Sequence, residues 1–108
     1  MTFKLKIMLE INGEQLEQLK KDGKYILLDI HGLWCGPCKQ LMPILESIES
    51  EFPNVKFVKF DVESDMEYIS KYNIVSVPTV MILDGDKIVD ISKGVKPAEY
   101  YKKILTEL

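Results

Sequence analysis

The pattern of apolar and polar positions along the chain predicts alternating strands and helices. Residues 25–31 form a nearly unbroken apolar run, which is typical of a central strand covered on both faces. Apolar and polar positions alternate over residues 1–9, which predicts a first strand. Further strands are predicted for residues 55–62, 79–83 and 87–91, the last two joined by a tight turn at residues 84–86.

The first and last helices are predicted from signals at their ends. The first begins after Asn12, a suitable N-cap with Gln15 as its capping-box partner, and it stops at Gly23. The last begins at Pro97, a residue favoured in the first turn of a helix. We expect three residues to bury its inner face: Tyr100, Ile104 and Leu108.

Two more helices are predicted between the strands. The second follows residue 35, and Pro43 inside it should kink it. Its inward stripe has three- and four-residue spacing and consists of Leu41, Ile44, Leu45, Ile48 and Phe52. Pro53 should end this helix. A short third helix is expected to begin at a capping box of Ser64 and Glu67, and to run through Tyr72 to a stop at Asn73.

The order of these elements is βαβαβαββα. It predicts one α/β domain over residues 1–108, with a parallel first half closed by an antiparallel hairpin and a final helix. The chain has no internal repeat and no linker-like segment that would suggest a second domain.

Charge and composition exclude several classes of function. All 14 basic residues are lysines, against 17 acidic residues, and they form no cluster of the kind that binds nucleic acid. No apolar run approaches the roughly 20 residues needed to cross a membrane. The N-terminal pattern is not that of an export signal, so we expect a cytoplasmic protein. In that reducing compartment, two cysteines are more often catalytic or metal-binding than structural.

The only two cysteines, Cys35 and Cys38, flank Gly36-Pro37 at the start of the second predicted helix. Helical residues three apart lie roughly 5–6 Å apart, within the Cα separation of about 4.4–6.8 Å that a disulfide needs. The pair can therefore open and close with little backbone movement. A structural staple is disfavoured, because closing so short a loop contributes only about 2 kcal/mol. A zinc site normally needs four ligands, which this chain could supply only by sharing a metal with a second chain, so no metal site is expected.

Residues on both sides of the cysteine motif fit one pattern. They are Leu28-Asp29, Trp34-Cys35-Gly36-Pro37-Cys38-Lys39, Pro43, Lys59, Val77-Pro78-Thr79, Asp84-Gly85 and Gly94. At these positions the chain resembles the thioredoxin family, over essentially its whole length. The resemblance implies the thioredoxin fold, a five-stranded mixed β-sheet flanked by four helices, with a cis peptide bond before Pro78.

The resemblance also implies which residues carry the chemistry. Cys35, at a helix N-terminus that favours a thiolate, would attack a target disulfide. Cys38 would then resolve the mixed disulfide. Asp29 is the candidate acceptor for the Cys38 proton, because burial in an apolar strand should raise the pKa of its carboxyl group. Lys59 would counterbalance Asp29 from the adjacent strand.

A flat docking surface for target proteins is expected around the cysteines. Pro78 would lie opposite them, and the backbone of Val77 would be free to pair with an extended target segment. The dipeptide between the cysteines belongs, by resemblance, to reducing members of the family. The residues expected to bind substrate are Trp34, Gly36, Pro37, Val77, Pro78 and Gly94.

His31, the only histidine, departs from the family pattern, because many thioredoxins have tryptophan at this position. It should lie on the same strand face as Asp29, two residues earlier, near the active site. One interpretation is a polar substitute that hydrogen-bonds a nearby carboxylate. The other is that protonated His31 stabilises the Cys35 thiolate and makes the couple more oxidising.

The sequence therefore predicts a small protein-disulfide reductase. It would be a monomer with no cofactor other than the Cys35–Cys38 disulfide. Its expected partners are disulfide-containing proteins and a thioredoxin reductase, either an NADPH-flavin enzyme or a ferredoxin-linked one. Two alternatives stay open: an exchanger or isomerase tuned by His31, and a binding subunit whose redox chemistry is incidental.

Overall fold

A five-stranded mixed sheet forms the centre of the computed structural model, which describes residues 8–108. The strands are β1 (Leu9–Glu10), β2 (Tyr25–His31), β3 (Val55–Asp61), β4 (Thr79–Asp84) and β5 (Lys87–Lys93), in the spatial order β1-β3-β2-β4-β5. β3 is parallel to both β1 and β2, whereas β4 is antiparallel to β2 and β5. The predicted mixed sheet, with a parallel part and an antiparallel hairpin, is confirmed.

Within residues 8–108, four α-helices connect and follow the strands, and the predicted order βαβαβαββα is confirmed. They are α1 (Gly13–Lys21), α2 (Gly36–Glu49), α3 (Met66–Ile69) and α4 (Ala98–Thr106), and a 3₁₀ turn (Ser70–Tyr72) extends α3. The capping box of Asn12 and Gln15 is formed at the start of α1. Among the residues that the structure describes, no helix is long and apolar enough to cross a membrane.

Some predicted boundaries were wrong. Asp65, not Ser64, caps α3, because its carboxylate accepts the backbone N–H of Tyr68 at 3.3 Å while the Ser64 hydroxyl donates to Asp61. α2 ends at Glu49, not at Pro53. Phe52 and Pro53 lie in the loop that leads to β3. Most of the strand predicted for residues 1–9 lies outside the described residues.

The inner face of α4 differs from the prediction by one position. Its two fully buried residues are Tyr101 and Leu105, while the predicted Tyr100, Ile104 and Leu108 are half-buried around them. Both sets have helical spacing, so the sequence pattern alone does not decide which one points at the sheet.

The sheet separates two apolar layers. On one face, Leu27 of β2 packs in a cluster with Leu41 of α2 and Tyr101 of α4. On the other face, Leu28 of β2 packs with residues of α1 and α3. Because strand side chains alternate between faces, Asp29 and His31 extend from β2 on the same face as Leu27, under α2. The fold therefore brings these two polar residues beneath the helix that carries the cysteines.

Candidate active site

The cysteine motif occupies the start of α2, directly beyond the carboxyl end of β2. Cys35 is the N-cap residue, and its backbone N–H donates to the carbonyl of Gly32 in the connecting turn at 3.1 Å. Gly36 and Pro37 form the exposed first positions of the helix. Proline suits this position because the backbone N–H groups of the first turn have no partner within the helix. Cys38 completes this turn.

Cys35 and Cys38 form a disulfide bond, with their Cα atoms 5.3 Å apart. Both residues are buried, with only 4% of each exposed. The backbone N–H of Cys38 donates to the sulfur of Cys35 at 3.2 Å, so Cys35 caps α2 through its side chain. A sulfur with an N–H donor at a helix N-terminus is well placed to carry negative charge after reduction.

Val77, Pro78 and Gly94 meet beside the disulfide. The carbonyl oxygen of Val77 lies 3.8 Å from the sulfur of Cys35. The peptide bond between Val77 and Pro78 is cis, as predicted. Gly94 donates its backbone N–H to the carbonyl of Pro78 at 2.8 Å, and its φ of 78° is a left-handed conformation that favours glycine. The fold thus places Val77 against Cys35, with Pro78 next to it in the chain and Gly94 bonded to Pro78.

Trp34 lies on the protein surface next to Cys35, with 68% of the residue exposed. Its indole Nε1–H donates to the carboxylate of Glu63 at 2.8 Å, which fixes the orientation of the ring. An open groove of about 170 Å³ runs from the ring to the segment before Pro78, and its lining includes Val62, Val75 and Val77. An exposed aromatic beside an apolar groove is a suitable contact surface for a protein partner.

Asp29 is fully buried, and neither of its carboxyl oxygens has a hydrogen-bond partner within residues 8–108. Burial raises the pKa of this carboxyl group from 3.8 to about 6; the neighbouring His31 and Lys59 side chains oppose the rise, and Glu10 adds to it. Lys59 is half-buried and pairs with Asp29 in the parallel register of β2 and β3. The structure thus provides a buried acid that exchanges protons near neutral pH.

His31 is buried beside Glu10, and its Nε2 lies 2.9 and 3.0 Å from the two carboxylate oxygens. The predicted hydrogen bond between His31 and a nearby carboxylate is therefore present, and the role of His31 toward Cys35 stays a prediction. His31 also lines an open cleft of about 350 Å³ together with Cys38 and Lys59.

The sequence analysis missed Glu10 and Glu63, the carboxylate partners of His31 and Trp34. Each pair joins residues far apart in the chain, 21 positions in one case and 29 in the other. Glu10 can be recognised as a site residue only when β1 is known to lie beside β3. In that arrangement Glu10 pairs with Lys59, and Lys59 pairs with Asp29. No local motif marks either residue.

The similarities of this chain to known proteins agree with the geometry of its cysteine pair. The sequence model of the thioredoxin family matches residues 8–107. The chain is similar to thioredoxin of Bacillus subtilis, with 36% identity over 76% of this chain and 80% of that protein. It is also similar to thioredoxin of Mycoplasmoides gallisepticum, with 37% identity over 87% of this chain and 94% of that protein.

A solved structure of similar fold is thioredoxin of Fasciola hepatica, with a TM-score of 0.83 and 30% identity over 94% of this chain and all of that one. The family match and the cysteine pair at disulfide distance together do not favour a specialised exchanger or a redox-incidental binding subunit. The chain therefore belongs to the thioredoxin family of thiol-disulfide oxidoreductases and is a small protein-disulfide reductase.

Proposed function

We propose that Cys35 is the nucleophile and Cys38 the resolving residue of this reductase. The observation that carries the assignment is the contact of the Cys38 N–H with the sulfur of Cys35 at the N-cap of α2. That N–H and the positive end of the helix stabilise a thiolate on Cys35. Cys38 sits inside the first turn, and its sulfur receives no such contact from residues 8–108, so it is the second sulfur to react.

The reaction proceeds in two exchanges. The Cys35 thiolate attacks one sulfur of a target disulfide, forms a mixed disulfide and releases the other target sulfur as a thiolate. Cys38 then loses its proton to Asp29 and attacks the sulfur of Cys35. The Cys35–Cys38 bond forms, the bond to the target breaks, and the target has gained two electrons. Lys59 counterbalances the charge of Asp29, with which it pairs in register.

Targets are proposed to dock on the surface formed by Trp34, Gly36, Pro37, Val77 and Gly94, with Pro78 buried beneath it. Two features support this assignment: the exposed ring of Trp34 and the backbone of Val77 beside the disulfide. An extended target segment would pair with the Val77 backbone and present its own disulfide to Cys35. Recognition through backbone atoms suits a reductase that acts on many proteins.

Family membership implies disulfide-containing targets and a reductase that returns the electrons. We propose that this partner is either an NADPH-flavin enzyme or a ferredoxin-linked one. The protein would act as a monomer in the cytoplasm and carry electrons on the Cys35–Cys38 pair, with no bound cofactor. A reducing compartment fits a chain whose only two cysteines form the reactive pair.

The assignment is tested by the reduction of a disulfide-bonded protein such as insulin, with dithiothreitol as the electron source. The wild-type chain should accelerate precipitation of the freed insulin chain in a catalytic amount. Cys35→Ser and the double variant Cys35→Ser/Cys38→Ser should leave only the background rate of dithiothreitol. Full activity of the double variant would show that the cysteine pair does not carry the function.

A further inference from the structure

Acidic and basic side chains meet on the α2 side of the sheet, beneath Cys38. The strand registers align Glu10 of β1 with Lys59 of β3, and Lys59 with Asp29 of β2. His31 lies two residues beyond Asp29 on the same face and contacts Glu10. These four residues, here called the sheet-end cluster, join the buried acid of the active site to the outer strand of the sheet.

The cleft lined by His31, Cys38 and Lys59 is distinct from the groove beside Trp34, which Cys38 does not line. The two depressions share no lining residue, so they are separate sites on the surface. The cleft volume of about 350 Å³ is large enough for several water molecules, each of which takes about 30 Å³ in the liquid. Solvent in the cleft can therefore reach His31, Cys38 and Lys59, whereas the buried Asp29 does not line the cleft.

Asp29 needs a proton carrier. It is fully buried, so a proton that it takes from Cys38 has no direct path to bulk solvent. Histidine is the side chain that takes up and releases protons between pH 5 and 8. The side chain of Glu10, 42% exposed, connects His31 to the surface.

We propose that His31, held by Glu10, relays the proton between Asp29 and solvent while Cys38 resolves the mixed disulfide. This inference rests on the function proposed above and assigns a role within it to two further residues. His31 acts through Asp29, and Glu10 is a positioning residue that fixes the imidazole.

The relay adds no reactant to the exchange. Cys38 gives its proton to the Asp29 carboxylate and its thiolate attacks Cys35, while the target leaves as a thiolate with the bonding electrons. Protonated Asp29 passes the proton to the neutral imidazole of His31, two residues along the same face of β2. The imidazolium, paired with the Glu10 carboxylate, releases it to solvent, where the target thiolate can take it up.

Charged groups on all neighbouring elements contribute to the pH dependence of this step. Glu10 and Lys59 face His31 from β1 and β3, and Lys39 of α2 lines the same cleft. Asp61 pairs with His31 in register, but its carboxylate accepts the backbone N–H of Glu63 at 2.9 Å. Asp61 is therefore engaged elsewhere, whereas the Glu10 carboxylate is directed at the imidazole.

The reaction of the reduced protein with 5,5′-dithiobis(2-nitrobenzoate), followed by stopped flow, separates the two exchanges. The first release of thionitrobenzoate reports attack by Cys35, and the second reports resolution by Cys38. His31→Gln should leave the first phase unchanged and slow the second roughly tenfold at pH 7, less than the 10²–10⁴-fold typical of direct proton transfer. Imidazole added to the buffer should restore the second phase.

Two variants at the surface complete the test. Glu10→Gln should also slow the second phase, although it does not remove a buried group. Glu14→Gln, on the exposed face of α1, is the control and should change neither phase. An unchanged second phase in His31→Gln and Glu10→Gln, or a slowing that imidazole does not relieve at any pH, would overturn the relay. Absence of the first phase in the wild-type chain would instead count against the proposed function.

Discussion

Replacement of Asp29 by asparagine is expected to raise the free energy of unfolding of the oxidised protein by about 3 kcal/mol at pH 7.5. The pKa of this carboxyl group rises from 3.8 to about 6 on folding, because the group is buried. Each pKa unit of this rise means that the folded state disfavours the ionised carboxylate by about 1.4 kcal/mol. Asparagine has nearly the same shape and no charge to bury.

The gain should depend on pH in a definite direction. Below pH 4, Asp29 is protonated in both the folded and the unfolded chain, and the variant should have no advantage. As the pH rises through the window from about 4 to 6, the unfolded chain releases this proton more readily than the folded one, so wild-type stability falls. Above pH 6 the difference should stay constant.

Denaturant unfolding at pH 3.5, 5 and 7.5 measures this difference directly. Asp84→Asn is a matched control, because Asp84 is exposed at the end of β4 and should show no such pH-dependent gain. A gain at Asp29→Asn that persists at pH 3.5, or no gain at pH 7.5, would show that the Asp29 carboxyl group is not held against ionisation by burial.

A Cys38→Ser variant is expected to accumulate as a covalent complex with its targets. Cys35 can still attack, because the backbone N–H that contacts its sulfur belongs to residue 38 and is kept in the variant. Resolution by a second sulfur of the chain is impossible, since no other cysteine is present. The mixed disulfide should therefore be the main product when the reduced variant meets an excess of a disulfide-bonded protein.

Non-reducing electrophoresis and intact mass measurement identify this complex and its loss on addition of dithiothreitol. Cys35→Ser is the matched control, with one cysteine at the inner position, and it should form little or no complex. If Cys35→Ser forms the complex as fast as Cys38→Ser, the assignment of nucleophile and resolving residue is wrong.

Local signals in the sequence were sufficient for most of the fold. The apolar run of β2 and the capping box of Asn12 and Gln15 each lie within one short segment, and the structure has both as predicted. The cap of α3 was assigned to the wrong residue because Ser64 and Asp65 are adjacent and both can accept a backbone N–H. A choice between neighbours depends on backbone conformation, which the residue types do not determine.

The candidate site was predictable where a short motif carries it. Cys35 and Cys38 are recognisable from their spacing, and Asp29 from its apolar neighbours. The contacts of His31 with Glu10 and of Trp34 with Glu63 were not predictable, because each depends on the register or approach of distant segments. Pairing of this kind is a property of the assembled sheet and leaves no periodic pattern in the sequence.

The reduction potential of the Cys35–Cys38 couple at pH 7 tests the central claim most directly. It is measured by equilibrating the protein with glutathione buffers of defined ratio and quantifying the reduced fraction. Thioredoxin has a potential of about −270 mV, and a general reductant should have a value there or lower. A value near −180 mV, that of protein disulfide isomerase, would contradict the account, because such a couple would be too oxidising to act as a general electron donor.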